Sequence, residues 1–151
     1  MRSKKPSVIT RLREETTFFL DRTIGKFQCA NGLRAAGLKV QVHDDNFAQD
    51  APDEHWIPRC AEQNWVIITG DLWKRGRKEA AQIRAVASGR VRVFQLATSQ
   101  IPAELWAHAI LKAEHKILKI LKQNRGPFMA RITPGGHVSL LPGYFGEKKT
   151  S

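Results

Sequence analysis

Short runs rich in apolar residues alternate along the chain with stretches in which apolar residues recur at helical spacing. The runs are too short for helices and rich in β-branched and aromatic residues, which predicts strands at 16–21, 38–43, 65–69 and 91–96. The helical spacing predicts helices at 25–36, 52–64, 79–88 and 103–123. Two further strands, 128–132 and 137–141, surround Pro134-Gly135-Gly136 and predict a β-hairpin.

This order of elements favours one fold class. Strands that alternate with helices form parallel sheets through right-handed crossovers. The pattern therefore predicts an α/β protein: a three-layer α/β/α sandwich with a mainly parallel central sheet and a C-terminal β-hairpin. The third strand is almost wholly apolar, which indicates a central position.

The length of 151 residues suits one domain. We expect a basic N-terminal arm at 1–15, with a helical turn near 9–14, followed by a single domain at 16–145 and a flexible tail at 146–151. Within the domain, Gly37 is expected to end the first long helix. A loop dense in Asp and Asn is expected at 44–50, and a basic loop at 74–78.

Composition points to an anionic partner. The formal net charge is +11 and the pI is about 10.2, while 42% of the residues are hydrophobic, enough for a core. The two cysteines, Cys29 and Cys60, form no CxxC pair and are interpreted as helix-face residues in a reducing compartment. No apolar run approaches the roughly 20 residues that span a bilayer, and no secretory signal follows the basic N-terminus. We expect a cytoplasmic protein without membrane association.

Acidic residues are concentrated in one window of this basic chain. Seven of the fourteen lie between Val40 and Asp71, beside a single basic residue, Arg59. Asp21 ends the first strand, Asp53 begins the helix that leads to the third strand, and Asp71 follows that strand. Ligand sites in α/β sheets lie at the carboxyl ends of the strands, where these three side chains can converge.

Carboxylates of this kind suit Mg²⁺ or Mn²⁺, which polarises a phosphodiester and activates water. Three further residues are candidates to orient these ligands without binding the metal themselves: Asp45, Glu54 and Thr69. The simpler interpretation is that an Asp after a strand caps a helix or forms a turn, which suits Asp45, and that Asp53 only complements a helix dipole. Spacing alone leaves both interpretations open.

Basic residues follow the proposed ligands directly. Arg22 follows Asp21, and residues 72–92 hold seven basic side chains against one acid. Those nearest to Asp71 are expected to contact RNA phosphates: Lys74, Arg75, Arg77 and Lys78. The alternative is a solvated loop. Trp73 either stacks on a base or packs against the sheet.

Other catalytic signatures are not seen in the sequence. The five histidines show no metal-ligand spacing and are interpreted as structural or surface residues. No Ser–His–Asp arrangement and no Gly-rich phosphate loop stands out. The lysines of the predicted helix at 103–123 are expected to form a solvated face.

Four segments together resemble the PIN-like ribonucleases, most closely those grouped with VapC-type toxins of bacterial toxin–antitoxin modules. They are Phe-Phe-Leu-Asp-Arg, Leu-Arg-Ala-Ala-Gly-Leu-Lys-Val, Pro-Asp-Glu-His-Trp and Trp-Val-Ile-Ile-Thr-Gly-Asp, and the likeness covers about 16–96 with a weaker echo at 125–132. The resemblance implies a three-layer fold and cleavage of RNA with Mg²⁺ or Mn²⁺. It implies that Asp21, Asp53 and Asp71 are the metal-binding, catalytic residues. It also implies a cognate antitoxin and a homodimer.

The sequence also departs from that family. Many PIN domains carry a fourth acid shortly after the third, where this chain has Leu72, Trp73 and Lys74. Three carboxylates can still hold one ion, but a two-metal mechanism loses support. Three hypotheses follow: a metal-dependent endoribonuclease, a catalytically degenerate module that binds RNA or protein, and, ranked last, a phosphoryl-transfer or receiver-like protein.

Overall fold

A computed structural model describes residues 7–24, 27–70, 91–97 and 101–141. Its strands are β1 (Thr17–Leu20), β2 (Lys39–Val42), β3 (Val66–Thr69), β4 (Arg92–Leu96), β5 (Phe128–Ile132) and β6 (Val138–Leu140). Its helices are α1 (Val8–Glu15), α2 (Gln28–Ala35), α3 (His43–Asn46), α4 (Asp53–Glu62) and α5 (Ala103–Gln123), with a 3₁₀ turn at Arg22–Ile24.

The six strands form one sheet in the order β2-β1-β3-β4-β5-β6. The pairs from β2 to β5 are parallel, and β6 runs antiparallel to β5. The register places Leu20 opposite Val42 on one side and opposite Ile68 on the other. This arrangement confirms the predicted fold class, with its C-terminal hairpin and β3 at the centre. The carboxyl ends of β1 and β3 therefore lie side by side.

The sheet separates two hydrophobic cores, because successive side chains of a strand point to opposite faces. On one face, strand residues such as Phe18 and Leu20 pack with α2 and α5. On the other face, Phe19 and Ile67 pack with α4 residues such as Trp56. Helices on both faces of the sheet give the three layers that the sequence predicted.

Helix α5 has the predicted bounds and the predicted amphipathic pattern. Its buried positions recur at steps of three and four, which leaves one face against the core: Trp106, Ile110, Ala113, Ile117 and Ile120. The lysines at 112, 116, 119 and 122 are exposed. The expectation of a solvated lysine face is confirmed.

Helix α1 is longer than the turn expected in the N-terminal arm. Ser7 caps it by accepting a hydrogen bond from the backbone N–H of Thr10. Ile9 and Leu12 pack against the core, and Arg13 forms an ion pair with Glu114 of α5. These contacts attach residues 8–15 to the α5 layer. The proposed domain boundaries remain predictions.

Two predictions about local structure are wrong in part. The helix predicted at 25–36 is preceded by the 3₁₀ turn, and α2 begins only at Gln28. The loop predicted at 44–50 begins with α3, which is stabilised because the backbone N–H of Phe47 donates to the His43 carbonyl at 2.8 Å. Gly37 ends α2 as predicted, with a φ of 92° that favours glycine.

Several predictions fall outside the described residues. They are the basic loop at 74–78, the helix at 79–88 and the tail at 146–151. Within the described ranges, no helix combines the length and the apolar character needed to cross a bilayer.

Candidate functional site

Asp21 lies at the carboxyl edge of the sheet, directly after β1. Its backbone N–H donates to the carbonyl of Ile68 at 3.1 Å, so the end of β1 stays joined to the end of β3. The Asp21 side chain is only 4% exposed. A buried carboxylate is costly unless polar groups replace its water, and its hydrogen bonds are therefore informative.

Two threonines donate to the Asp21 carboxylate. Oδ1 accepts from the backbone N–H of Thr23 at 2.9 Å and from the Thr23 hydroxyl, and Oδ2 accepts from the hydroxyl of buried Thr69. The Thr23 hydroxyl oxygen also accepts from the backbone N–H of Gly70 at 2.8 Å. This network fixes Asp21 against the end of β3, and it contains Gly70, the residue that precedes Asp71 in the sequence.

Asp53 is the first residue of α4. Its Oδ1 accepts a hydrogen bond from the indole N–H of Trp56 at 3.0 Å. The buried Trp56 ring stacks on Phe19, with ring centroids 5.5 Å apart, and meets the His43 ring edge-on at 5.7 Å. Trp56 therefore orients Asp53 against the aromatic side chains that cover this face of the sheet.

Asp21 and Asp53 belong to the same side of the sheet. Asp21 follows Phe19 by two positions, so both side chains point to the face that α4 covers. The pKa of the Cys60 thiol of α4 is raised, first by burial and second by the nearby charge of Asp21. Because α4 leads into the amino end of β3, its own first residue lies toward the carboxyl edge.

A complete three-carboxylate site is not found in the part of the chain that the structure describes. Those residues contain no group of three or more His, Cys, Asp or Glu side chains that could hold a metal ion. Asp71, the third predicted ligand, lies outside them. The predicted convergence of Asp21, Asp53 and Asp71 remains a prediction.

The other predicted site residues have different positions. Thr69 contacts Asp21 directly, whereas Asp45 is exposed on α3. Arg22 is exposed and donates to the backbone carbonyl of Gln49, which connects the end of β1 to the segment before α4. The side chain of Glu54 and the whole of Trp73 lie outside what the structure describes. The same is true of the four predicted phosphate-binding residues after Asp71, which are Lys74, Arg75, Arg77 and Lys78.

Sequence reasoning missed two residues beside Asp21. Thr23 was not singled out, although a hydroxyl two residues after a strand-end Asp is typical of a local side-chain network. His43 directly follows β2, as Asp21 follows β1, and is only 1% exposed among aromatic rings. Its Nδ1 lies 3.2 Å from Asp44 Oδ1, and its Nε2 has no hydrogen-bond partner among the described residues. The alternation of side chains along β2 could have placed it on the α4 side.

Both cysteines are buried and free. Burial raises the pKa of the Cys29 thiol to about 12, and the pKa of Cys60 is raised as well. Both thiols are therefore neutral near pH 7 and poorly suited to nucleophilic chemistry. Their positions on the buried faces of α2 and α4 match the interpretation from sequence.

Residues 16–98 match a family model described as a PIN-like domain, which covers more than half of the chain. Neither the curated proteins nor the solved structures contain a significant match to the chain. The matched segment begins beside β1 and ends just beyond β4, so it includes Asp21, Asp53 and the position of Asp71.

Proposed function

This chain belongs to the PIN-like domain family, and from that premise we propose that it is a metal-dependent endoribonuclease that hydrolyses RNA phosphodiester bonds. PIN domains are generally nucleases that use divalent metals. The finer part of the proposal is that this chain is the toxin of a toxin–antitoxin pair. That part is supported by the sequence resemblance and by the basic character of the chain.

The observation that carries the proposal is the Asp21 carboxylate. It is held at a strand end by hydroxyl and amide donors, in a position that the sheet makes common to β1 and β3. Hydroxyl and amide donors that hold a carboxylate in one orientation at a strand end are the kind of support that metal-binding carboxylates receive. A purely structural turn-forming Asp does not require burial of this kind.

The donor set fits a hard divalent cation. Carboxylate oxygens are the ligands that Mg²⁺ and Mn²⁺ prefer, and Mg²⁺ commonly uses one or two of them together with water and phosphate. We assign the ligand role to Asp21, Asp53 and Asp71. When bound, the ion would activate water and offset charge on the phosphate.

The remaining residues position these groups. Thr23 and Thr69 fix the orientation of Asp21, and Trp56 fixes that of Asp53. We assign to Asp45 and Glu54 the role of orienting the ligands without binding the metal themselves. Phosphate contacts are assigned to basic side chains that follow two of the ligands in sequence: Arg22, Lys74, Arg75, Arg77 and Lys78.

The first test is cleavage of single-stranded RNA by purified protein with Mg²⁺ or Mn²⁺. Chelation by EDTA should stop the reaction, and restoring the metal should recover it. Asp21→Asn should lower the rate by more than about a hundredfold, since loss of outer partners alone costs 10–100-fold. Asp50→Asn is the matched control, because Asp50 is an exposed acid of the same window whose side chain makes no hydrogen bond to the described residues. Full activity of a folded Asp21→Asn protein would refute the mechanism.

The toxin role has its own test. Induced expression should arrest growth of a bacterial host, Asp21→Asn should relieve the arrest, and co-expression of a small acidic partner encoded beside this chain should do the same. RNA cleavage without growth arrest would be consistent with the nuclease assignment and would contradict the toxin assignment. We also expect a homodimer, which sedimentation of the purified protein would reveal.

A catalytically degenerate PIN-like module is the second candidate. The sequence at Leu72 and Trp73, where many PIN domains carry a fourth acid, favours it. It predicts salt-sensitive binding of RNA, or binding of a protein partner, without turnover in any metal. The cleavage assay with Mn²⁺ separates the two candidates directly.

A further inference from the structure

A small open cavity lies between α4, the end of α3 and the residue that precedes β3, and none of the proposed metal ligands lines it. It has a volume of about 250 Å³ and is lined by Asn46, Phe47, His55, Arg59, Gln63 and Trp65. We propose that this cavity is a subsite that binds one unpaired RNA base, and the proposal rests on the proposed ribonuclease function. Pockets that hold drug-sized ligands measure roughly 300–1,000 Å³, so the volume suits a single ring system.

The cavity is connected to the proposed metal site by α4. His55, Arg59 and Gln63 are spaced four residues apart and therefore share one stripe of the helix. His55 follows Asp53 by two positions, about 3 Å along the helix axis and about 200° around it, so the stripe and Asp53 lie on different sides of α4. RNA with a phosphate at Asp53 would reach the stripe by passing around the N-terminal end of α4, and the base of a neighbouring nucleotide could then enter the cavity.

The cavity wall is aromatic and firmly packed. Phe47 and Trp65 are both half-buried, and both contact the fully buried Phe19 ring, with centroids 5.8 Å and 5.7 Å away. Phe47 also meets the His55 ring edge-on at 6.1 Å. Rings held in this way provide a surface for a base without a large loss of side-chain freedom, and stacking on aromatic rings is how unpaired bases are commonly bound.

Polar groups of the cavity can contact a base edge. The Asn46 side-chain N–H₂ donates to the Val42 carbonyl at 2.8 Å and to Gln41 Oε1 at 3.2 Å, which fixes the amide and leaves Oδ1 as an acceptor. Arg59 and Gln63 are exposed, and their side chains make no hydrogen bond to the described residues. A fixed acceptor and nearby donors match the mixed edge of a base better than they match an apolar peptide side chain.

Fluorescence anisotropy in EDTA, where no cleavage occurs, tests the subsite. The probes are a short single-stranded RNA and an abasic ribose-phosphate oligonucleotide of the same length and charge. The protein should bind the RNA at least about fivefold more tightly, the lower end of the effect of stacking one base. Phe47→Leu, which keeps an apolar side chain, should remove most of that difference, whereas Phe27→Leu, at a residue 68% exposed beside α2, should not.

A second pair of variants tests the subsite without changing any buried residue, so that loss of folding does not explain the result. Arg59→Gln combined with Gln63→Ala changes exposed positions and should also reduce the preference for RNA over the abasic probe. Arg11→Gln combined with Gln28→Ala is the control on the opposite layer. Equal affinity for both probes, or unchanged preference in Phe47→Leu, would overturn the subsite and leave the ribonuclease proposal standing. Failure to bind either probe in EDTA would also overturn the subsite, whereas the ribonuclease proposal is decided separately by cleavage with Mg²⁺ or Mn²⁺.

Discussion

At the scale of single residues, the threonines around Asp21 hold its carboxylate in place. Burial of a charge is unfavourable unless hydrogen bonds replace its lost hydration. Thr23 and Thr69 supply three donors between them, one to Oδ2 and two to Oδ1. The carboxylate therefore keeps one orientation before any cation arrives, which reduces the reorganisation needed for binding.

Thr69→Val should separate this orienting role from packing. Valine fills nearly the same space but cannot donate to Asp21, so we expect a loss of about 1.5–3 kcal/mol in the free energy of unfolding, the usual worth of a hydrogen bond to a charged group. RNA cleavage should fall about 10–100-fold, as for other outer partners of metal ligands. Rates over a Mn²⁺ titration, together with urea unfolding, measure both effects.

Thr69→Ser is the conservative control for this substitution. It keeps the hydroxyl, removes one methyl group from a fully buried site and should cost about 1 kcal/mol of stability. It should retain most of the cleavage activity. If Thr69→Val is as active as Thr69→Ser, the hydrogen bond to Asp21 does not position a functional group.

At the scale of elements, the close crossing of α2 and α5 restricts the size of the side chains at the point where the two helices meet. A Cβ added at Gly32 of α2 would lie 2.9 Å from Ala107 Cβ of α5. Such a contact is tighter than packed side chains allow, so a helix must move. Glycine at this position therefore sets how near α5 can lie to α2.

Gly32→Ala should consequently destabilise the fold although alanine favours helices. The gain in helix propensity is about 1 kcal/mol, whereas overpacking in a well-packed core costs typically 1–3 kcal/mol. We expect a net loss of about 1–2 kcal/mol in urea unfolding. Asn31→Ala, at an exposed position of the same helix, receives the propensity gain without the clash and should be neutral or stabilising. A Gly32→Ala protein more stable than the parent would show that the crossing is looser than described.

Elements with a strong periodic signal were predictable from the sequence. The bounds of α5 match the prediction because its buried positions repeat over 21 residues. By contrast, the 3₁₀ turn after β1 and helix α3 depend on a few local hydrogen bonds, such as Asn46 to the Val42 carbonyl, that no periodicity reveals. The strands were predictable because each is a short segment rich in apolar residues, with β3 almost wholly apolar.

Part of the candidate site was also predictable, while the convergence of its three carboxylates remains a prediction. The position of Asp21 follows from the strand that precedes it, and its contact with Thr69 follows from the pairing of β1 with β3. Thr23 and His43 were missed because their surroundings come from neighbouring elements: Gly70 in one case, the aromatic rings on the α4 side in the other. Such roles depend on tertiary packing and leave little trace in local sequence.

At the scale of the whole molecule, acidic and basic residues are expected to have different roles in RNA binding. A net charge of +11 attracts a polyanion to the protein as a whole. The seven acids between Val40 and Asp71 would repel it unless a cation is bound there. Under the proposed function, affinity for RNA should therefore come from basic residues outside the acidic window.

The salt dependence of RNA binding can show which basic residues contribute. Each phosphate contact to single-stranded RNA adds about 0.7 to the slope of log K against log salt. Lys74→Gln with Arg75→Gln, two residues that closely follow Asp71 in sequence, should lower that slope by about 1.4 when anisotropy is measured in EDTA. Lys119→Gln with Lys122→Gln removes the same charge from the exposed face of α5 and should lower it by much less. Equal decreases would mean that RNA senses only net charge, and the assignment of phosphate contacts beside Asp71 would be wrong.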